Sequence, residues 1–287
     1  MTKPQSGRLS IQDHDRDASA MKYVYPVISR RAGGVSIGIN LNPNNACNWR
    51  CVYCQVPNLK RGKAPVIDMA QLENELNSLL DAILNGDFMQ SRVPPDMQRL
   101  NDIALSGNGE PTSAKEFAEV IALIGRLITH HALMGKIKLV LITNGSLISR
   151  AAVQEGLKAM ANLNGEVWLK LDSASRTGLA KINHTRQSLH KTEEHIAIAA
   201  ALCPTWIQTC MFAWDGAPPS SEEQTSYLSF LQGLVKRGVP LGGVLLYGLA
   251  RPSLQAEAEH LSALPASWLH AFGERIKACG LSVKITP

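Results

Sequence analysis

The chain has 287 residues, of which 45% are hydrophobic and 18% charged, a balance that suits a packed core and excludes a disordered or fibrous protein. Six cysteines in a chain this long need not be disulfide staples; clustered thiols point instead to metal ligands or catalytic groups in a reducing compartment. The net charge of +5 permits an anionic partner without demanding one.

The first twenty residues are polar, mixed in charge and lack an apolar h-region, so residues 1–20 read as a flexible tail and not as a secretory signal. No apolar run is long enough to cross a bilayer, and a cytoplasmic protein with no membrane partner is expected. The sequence "SIGINL" (36–41) predicts a strand that leads directly into a cysteine loop. Asp68 precedes a helical stripe of Leu72, Leu76, Leu79, Leu80 and Ile83, stopped near Gly86. A strand "DIALSG" (102–107) follows. Ser113 and Glu116 form a capping-box pattern for a helix striped by Phe117, Val120, Ile121, Ile124 and Ile128.

The alternation continues through the strand "IKLVLITNG" and a helix from about Ser149, then "EVWLKLD" and a helix from about Thr192. After "TWIQTCMF", Ser220 and Glu223 cap a helix striped by Leu228, Leu231, Leu234 and Val235. "GGVLLYGL" is the sixth strand, followed by a helix near Trp268–Cys279 and a short strand "LSVKI". Six strand–helix units predict an α/β fold of parallel strands with right-handed crossovers, a partial (β/α)6 TIM-like barrel. With no linker-like stretch, residues 21–287 read as one domain.

"CNWRCVYC" places Cys47, Cys51 and Cys54 within eight positions. Soft thiolates suit zinc or an iron–sulfur cluster, but a structural zinc site normally takes four protein ligands. The next cysteine is Cys203 and the next histidine His130. Three thiolates fit three irons of a cubane with one corner open. In α/β barrels the loops after strands gather at the catalytic face, where this loop falls.

Three other strand ends carry candidates. In "SGNGEPT" (106–112), glycines allow close backbone approach and Glu110 offers a carboxylate to a cation. "TNGSL" (143–147) contains Asn144, and "KLDSASRTGLAKIN" (170–183) contains Lys170, Asp172 and Asn183. Cys203, Cys210 and Cys279 are open to a second cluster, but their wide spacing favours buried, inert thiols. Cys210 is the exception, able to donate a hydrogen atom if it faces the barrel. Arg251 reads either as an anion contact or as a salt-bridge partner. His184 and Arg186, after the fourth strand, are open to substrate contact or to solvation.

"CNWRCVYC", with an aromatic residue before its last cysteine, resembles the CxxxCxxC signature of the radical S-adenosylmethionine (SAM) superfamily. That resemblance implies one 4Fe–4S cluster on Cys47, Cys51 and Cys54, its fourth iron chelated by the amine and carboxylate of SAM. It further implies cofactor contacts from Tyr53, Gly107, Asn108, Gly109, Glu110, Asn144, Lys170 and Asp172. Glu110 would meet the SAM amino group, and Asn144 its carboxylate or ribose. The implied reaction is reductive cleavage of SAM to a 5′-deoxyadenosyl radical that takes hydrogen from a substrate. An external one-electron reductant of the flavodoxin or ferredoxin type would feed it.

Together with "MKYVYPVISRRAGGVSIGINLNP" and "LLYGLARPS", the chain resembles the wyosine-synthase-like Fe–S oxidoreductases from about Met21 onward. This points to a base in tRNA, with Arg30, Arg31, Lys60, Arg61 and Lys63 as a basic rim. One departure is that no cysteine precedes Cys47, so the second cluster of the tricyclic-wyosine-forming enzymes has no ligands here. Other readings stay open: a small metabolite or peptide substrate, an activase that installs a glycyl radical, or a non-enzymatic Fe–S electron carrier.

Overall fold

The computed structural model describes Leu9, residues 21–29 and residues 33–287. The expected tail, apart from Leu9, and the pair Arg30 and Arg31 lie outside the described residues. Eight strands form one open sheet in which chain order is also spatial order. They are β1 (Val24–Ser29), β2 (Gly34–Ile39), β3 (Leu100–Leu105), β4 (Lys138–Thr143), β5 (Gly165–Lys170), β6 (Thr205–Met211), β7 (Leu241–Gly248) and β8 (Val283–Thr286). β1 and β2 are antiparallel, and every later neighbour pair is parallel. The sheet does not close on itself. The result is a curled, mostly parallel half-barrel, as the strand–helix rhythm predicts.

The outer face is covered by α1 (Met69–Leu84), α2 (Phe117–His130), α3 (Ala151–Ala161), α5 (Leu189–Leu202), α6 (Ser221–Lys236) and α7 (Ala266–Lys277), while α4 (Arg176–Asn183) packs against the cysteine loop. The stripes on α1 and α2 are buried as expected, against Ile37, Ile39, Ile103, Leu105, Leu139 and Leu141 of the sheet. Each such aliphatic side chain contributes about 1.5–3 kcal/mol when fully removed from water. Asp68 accepts from Gln71 N–H at the start of α1, and Ser220 and Glu223 make the expected capping box on α6.

Strand alternation decides what reaches the lumen. On β5, Gly165, Val167 and Leu169 are buried under helices, while Trp168 and Lys170 face a cavity. On β6, Thr209 points outward to the Tyr227 hydroxyl of α6 at 2.6 Å, whereas Gln208 and Cys210 line the cavity.

Four expectations need correction. β1 was not anticipated, because "VYPVIS" contains a proline; at a sheet edge that proline breaks no ladder. Ser113 does not cap α2. It lies in a single 3-10 turn, Pro111–Ser113, and its hydroxyl accepts from Ala64 N–H (2.9 Å) and Asn42 Nδ2 (3.4 Å). α2 instead begins after Glu116, whose side chain makes no capping bond. Between the fourth strand and the expected helix, residues 176–183 fold into a further helix, α4, capped by Ser175, and the next helix begins at Leu189, not near Thr192.

Candidate active site

The cysteine loop is shaped by asparagines. Asn40 Oδ1 accepts from the backbone N–H groups of Asn42 and Asn108, both at 3.0 Å. Asn42 Nδ2 donates to Ala46 O (2.9 Å), and Asn44 Oδ1 accepts from Ala46 N–H (3.2 Å). Asn45 sits at φ +54°, a left-handed conformation that asparagine tolerates. A two-residue ladder then pairs Ala46–Cys47 with Lys60–Arg61, which fixes Cys47 at the loop's entry.

Three other segments clamp the loop. The last carbonyls of α4 accept its N–H groups, Ile182 O from Val52 (2.8 Å) and Asn183 O from Arg50 (3.2 Å). Those carbonyls have no partner inside the helix, so each element satisfies the other. From beyond β7, Cys54 O accepts from Leu254 N–H (3.0 Å), Gln255 Nε2 (3.2 Å) and Ser253 Oγ (3.3 Å). Ser253 Oγ also reaches Val52 O at 2.6 Å. Arg50 makes a two-pronged ion pair with Glu257, at 2.5 and 2.8 Å, and its guanidinium meets His184 Nε2 at 2.7 Å. Glu257 is thereby held below the usual carboxylate range, chiefly by the Arg50 hydrogen bond. Arg61 donates to the carbonyls of Asn48 and His184, so it is a fastener of the loop.

The loop faces a cavity of about 1030 Å³. Of the predicted site residues, Cys47, Cys51, Tyr53, Cys54, Gly107, Asn108, Gly109, Glu110, Asn144 and Lys170 all line it. Arg251 and Cys210 line it as well. Asp172 is absent from that lining and serves as a buried hub. Its Oδ2 accepts from Tyr53 OH (2.5 Å) and Asn183 Nδ2 (2.8 Å), and its Oδ1 from Cys210 N–H (2.9 Å). Asn183 Nδ2 also donates to Cys51 Sγ at 3.3 Å. Cys203 and Cys279 are buried outside this cavity, as their spacing suggests. Lys60, Arg61 and Lys63 are exposed and do not line the cavity.

Glu110 is 2% exposed and surrounded by donors. Its Oε1 accepts from Thr112 N–H (3.1 Å), Thr112 Oγ1 (2.6 Å) and Thr143 Oγ1 (2.6 Å), and its Oε2 from Asn144 N–H (2.7 Å). Burial raises its pKa and these four bonds oppose the rise. With two lone pairs per oxygen, Oε2 retains room for one more donor. Asn144 in turn bridges Asn48 Oδ1 (2.8 Å) and Ser146 N–H (3.0 Å). The glycines of this loop answer to a neighbour other than the one expected. A Cβ at Gly107 would stand 2.4 Å from Asn40 Oδ1, and at Gly109 2.1 Å from Ala46 O, so close approach to the asparagine loop requires them.

Lys170 Nζ lies 3.3 Å from Tyr53 OH and 3.4 Å from Tyr247 OH. Burial opposes its charge, but Tyr247, Asp172 and Cys51 outweigh burial and keep it an ammonium. Burial pushes the thiols of Cys47 and Cys51 up to about 12. Such thiols are poor nucleophiles, yet a bound cation deprotonates a coordinating thiol outright. Among the described residues, no three His, Cys, Asp or Glu side chains converge as one metal ion would require. Thiolates on separate corners of a cubane need no such convergence. Three half-buried thiols around one cavity, an N–H aimed at a sulfur and a fixed cation nearby therefore fit a 4Fe–4S cluster.

A half-barrel with a three-cysteine loop at the carboxyl ends of its strands defines a class of metalloenzyme. The family model of the radical SAM superfamily matches residues 41–216, more than half of the chain, and the chain belongs to that superfamily. Its members bind a 4Fe–4S cluster and S-adenosylmethionine. A "UPF0026 protein" of Helicobacter pylori is 31% identical over 134 residues, covering 46% of this chain and 38% of that protein. The chain thus matches well under half the length of that relative. A radical SAM methyltransferase from Sphaerobacter thermophilus shares the fold with a TM-score of 0.55 at 12% identity, covering 91% of this chain and 68% of that one. The AdoMet-bound structure of anSMEcpe gives a TM-score of 0.54 at 16% identity, covering 86% and 62%.

Asn40, Asn48, Ser253 and Gln255 were not among the predicted site residues. The asparagine-rich run "NLNPNN" (40–45) was the visible signal for Asn40, since asparagine folds tight turns onto its own backbone. The contacts of Ser253 and Gln255 span about 200 residues and left no local pattern.

Proposed function

We propose that this chain is a radical SAM Fe–S oxidoreductase that abstracts hydrogen from a base in tRNA. The observation that carries the reading is one cavity lined jointly by Cys47, Cys51, Cys54, the GNGE turn, Asn144 and Lys170. When bound, the cluster and SAM supply one-electron cleavage of the sulfonium and a 5′-deoxyadenosyl radical. The chain's own residues bind and orient. Cys47, Cys51 and Cys54 hold the cluster, with the Asn183 N–H on Cys51 Sγ. The free lone pair of Glu110 Oε2 accepts from the SAM ammonium, and Asn144 and the turn's backbone position the rest of the molecule. Asp172 acts at one remove, holding Tyr53 and Asn183 in place. The electron comes from an external carrier of the flavodoxin or ferredoxin type.

The wyosine-like resemblance supports a base as the second occupant, and a cavity of about 1030 Å³, at the upper end of the usual range of about 300–1,000 Å³ for small-ligand sites, leaves room for it beside SAM. The exposed Lys60 and Lys63 are free to meet phosphate; Arg61 is engaged with the loop. Anaerobic reconstitution with SAM and dithionite is the test, with 5′-deoxyadenosine as readout. Formation of 5′-deoxyadenosine that rises with added tRNA is expected. A reconstituted cluster that never cleaves SAM would overturn the reading.

A further inference from the structure

Gln208 lies on β6, three residues inside the strand's carboxyl end, which places it roughly 10 Å down the lumen. It is 1% exposed and lines the large cavity, and its Oε1 has no hydrogen-bond partner. Among the described residues three other buried side-chain atoms share that condition, Glu116 Oε2, Asn183 Oδ1 and His195 Nε2. None of those three residues lines the cavity. A buried acceptor left unmade costs about 1–3 kcal/mol, so a ligand that completes it gains what the empty fold forgoes.

The surroundings narrow the ligand. Lys170 is the register partner of Gln208 on β5, but its ammonium is held by the Tyr53 and Tyr247 hydroxyls. Trp168, two residues before Lys170 and therefore on the same face, also lines the cavity. An indole gives a flat apolar surface on which a planar ring can lie. A primary carboxamide presents an acceptor and donors in one plane, and its complement is an N–H donor beside an acceptor, whether a C=O or a ring nitrogen. Turning the amide over exchanges the two ends without changing that complement. A carboxylate ligand would leave the Gln208 acceptor unanswered.

We propose that Gln208 is the recognition residue of a substrate subsite in the lumen that takes a nucleobase-like heterocycle, a planar ring with an N–H donor beside an acceptor. The inference rests on the preceding functional reading, which places SAM nearer the cysteine loop and leaves the lumen to the substrate. Gln208 orients the ring by two parallel hydrogen bonds, and Trp168 packs against its face.

The test uses the full chain, reconstituted anaerobically with its cluster and SAM, in calorimetric titrations with single probes. Uridine, guanosine, adenosine and cytidine each carry a donor–acceptor edge, 3-methyluridine lacks the donor, and N-acetylalanine methylamide presents a peptide amide without a ring. At least one of the four nucleosides is expected to bind in preference to 3-methyluridine and the peptide amide, and Gln208→Leu to weaken that binding about tenfold or more. Gln208→Glu, which keeps the shape but loses the donors, should weaken it as well. Because Gln208→Leu removes an unmade polar group, the ligand-free variant should melt no lower than the parent. No nucleoside binding, equal binding by parent and both variants, or preference for the open-chain amide would overturn the proposal. Cluster absorbance and SAM binding, measured on the same samples, separate the two failures. Loss of SAM binding in the parent defeats the functional reading, whereas intact SAM binding without preference for a nucleoside carrying that edge defeats this inference alone.

Discussion

The two ends of the cavity are built on opposite plans. At the cysteine loop almost every polar group is engaged: the Cys54 carbonyl has three donors, Glu110 has four, and Arg50, Glu257 and His184 interlock. In the lumen, Gln208 carries a buried oxygen with no partner. Hydrogen bonding inside a low-dielectric wall fixes geometry, while an unmade bond destabilises the fold. The contrast teaches that the first end is fixed by its own hydrogen bonds, whereas the second holds a polar group that only an entering molecule could pair.

The largest effect should come from breaking the organised end at its sulfurs. Replacing Cys47, Cys51 or Cys54 with Ala is expected to abolish the roughly 400 nm absorbance and all SAM cleavage. Cys203→Ala and Cys279→Ala should keep both, because their thiols lie outside the cavity. A normal cluster in Cys51→Ala would dissolve the contrast.

Next in size is Glu110→Gln. The amide can satisfy the donors around one oxygen but turns an N–H toward Asn144 N–H and toward any incoming ammonium. A hydrogen bond to a charged group contributes about 1.5–3 kcal/mol, so SAM affinity should fall by about one to two orders of magnitude in dialysis binding. Unchanged affinity would mean that Glu110 serves the fold alone.

The clamp offers a pH-dependent test. The folded pKa of Glu257 is depressed, so its bond to Arg50 stabilises fully above the ordinary carboxylate pKa, 4.5, and is lost as pH falls through the lower folded value. Glu257→Gln should therefore melt below the parent at pH 7, by a few degrees for a bond of about 1–3 kcal/mol. The gap should close as the pH is lowered through the carboxylate range. A gap that persists in acid would show that shape, not charge, holds the loop.

The smallest effect concerns the rim. Lys60→Ala with Lys63→Ala should weaken tRNA binding modestly and lower its salt dependence by about two phosphate contacts, measured by filter binding at several salt concentrations. Arg61 is left intact in that experiment, since removing it would disturb the Asn48 and His184 carbonyls.

What the sequence disclosed follows from the range of each signal. The stripe on α1 and its Asp68 cap, the capping box on α6 and the thiol triplet are patterns within a few residues, and all were legible. The order of the sheet followed because short crossovers leave few alternatives. β1 was hidden by Pro26, whose meaning depends on whether its strand is at an edge. Glu110 was legible as a carboxylate at the right strand end, but not its four donors, which come from two different loops. Gly107 and Gly109 were legible as close-approach positions, while the neighbour they approach proved to be the asparagine loop. Arg61 read as a surface cation, because no pattern near residue 61 announces a carbonyl at residue 184.

The grip on Cys54 reaches past the segment that defines the family. The matched residues, 41–216, contain the three cysteines, the GNGE turn, Asn144 and Lys170, yet Ser253, Gln255 and Glu257 lie downstream. A protein cut after residue 216 would keep its ligand set and lose the latch across the loop that carries it. In such a molecule cluster assembly would precede a stable enclosure, with the sulfurs open to oxygen and chelators. Translation order imposes the same sequence on the intact chain, since the thiols emerge some 200 residues before the groups that lock them. The C-terminal third therefore acts as a closing step, and the lifetime of the cluster in air is the quantity through which that step would be felt.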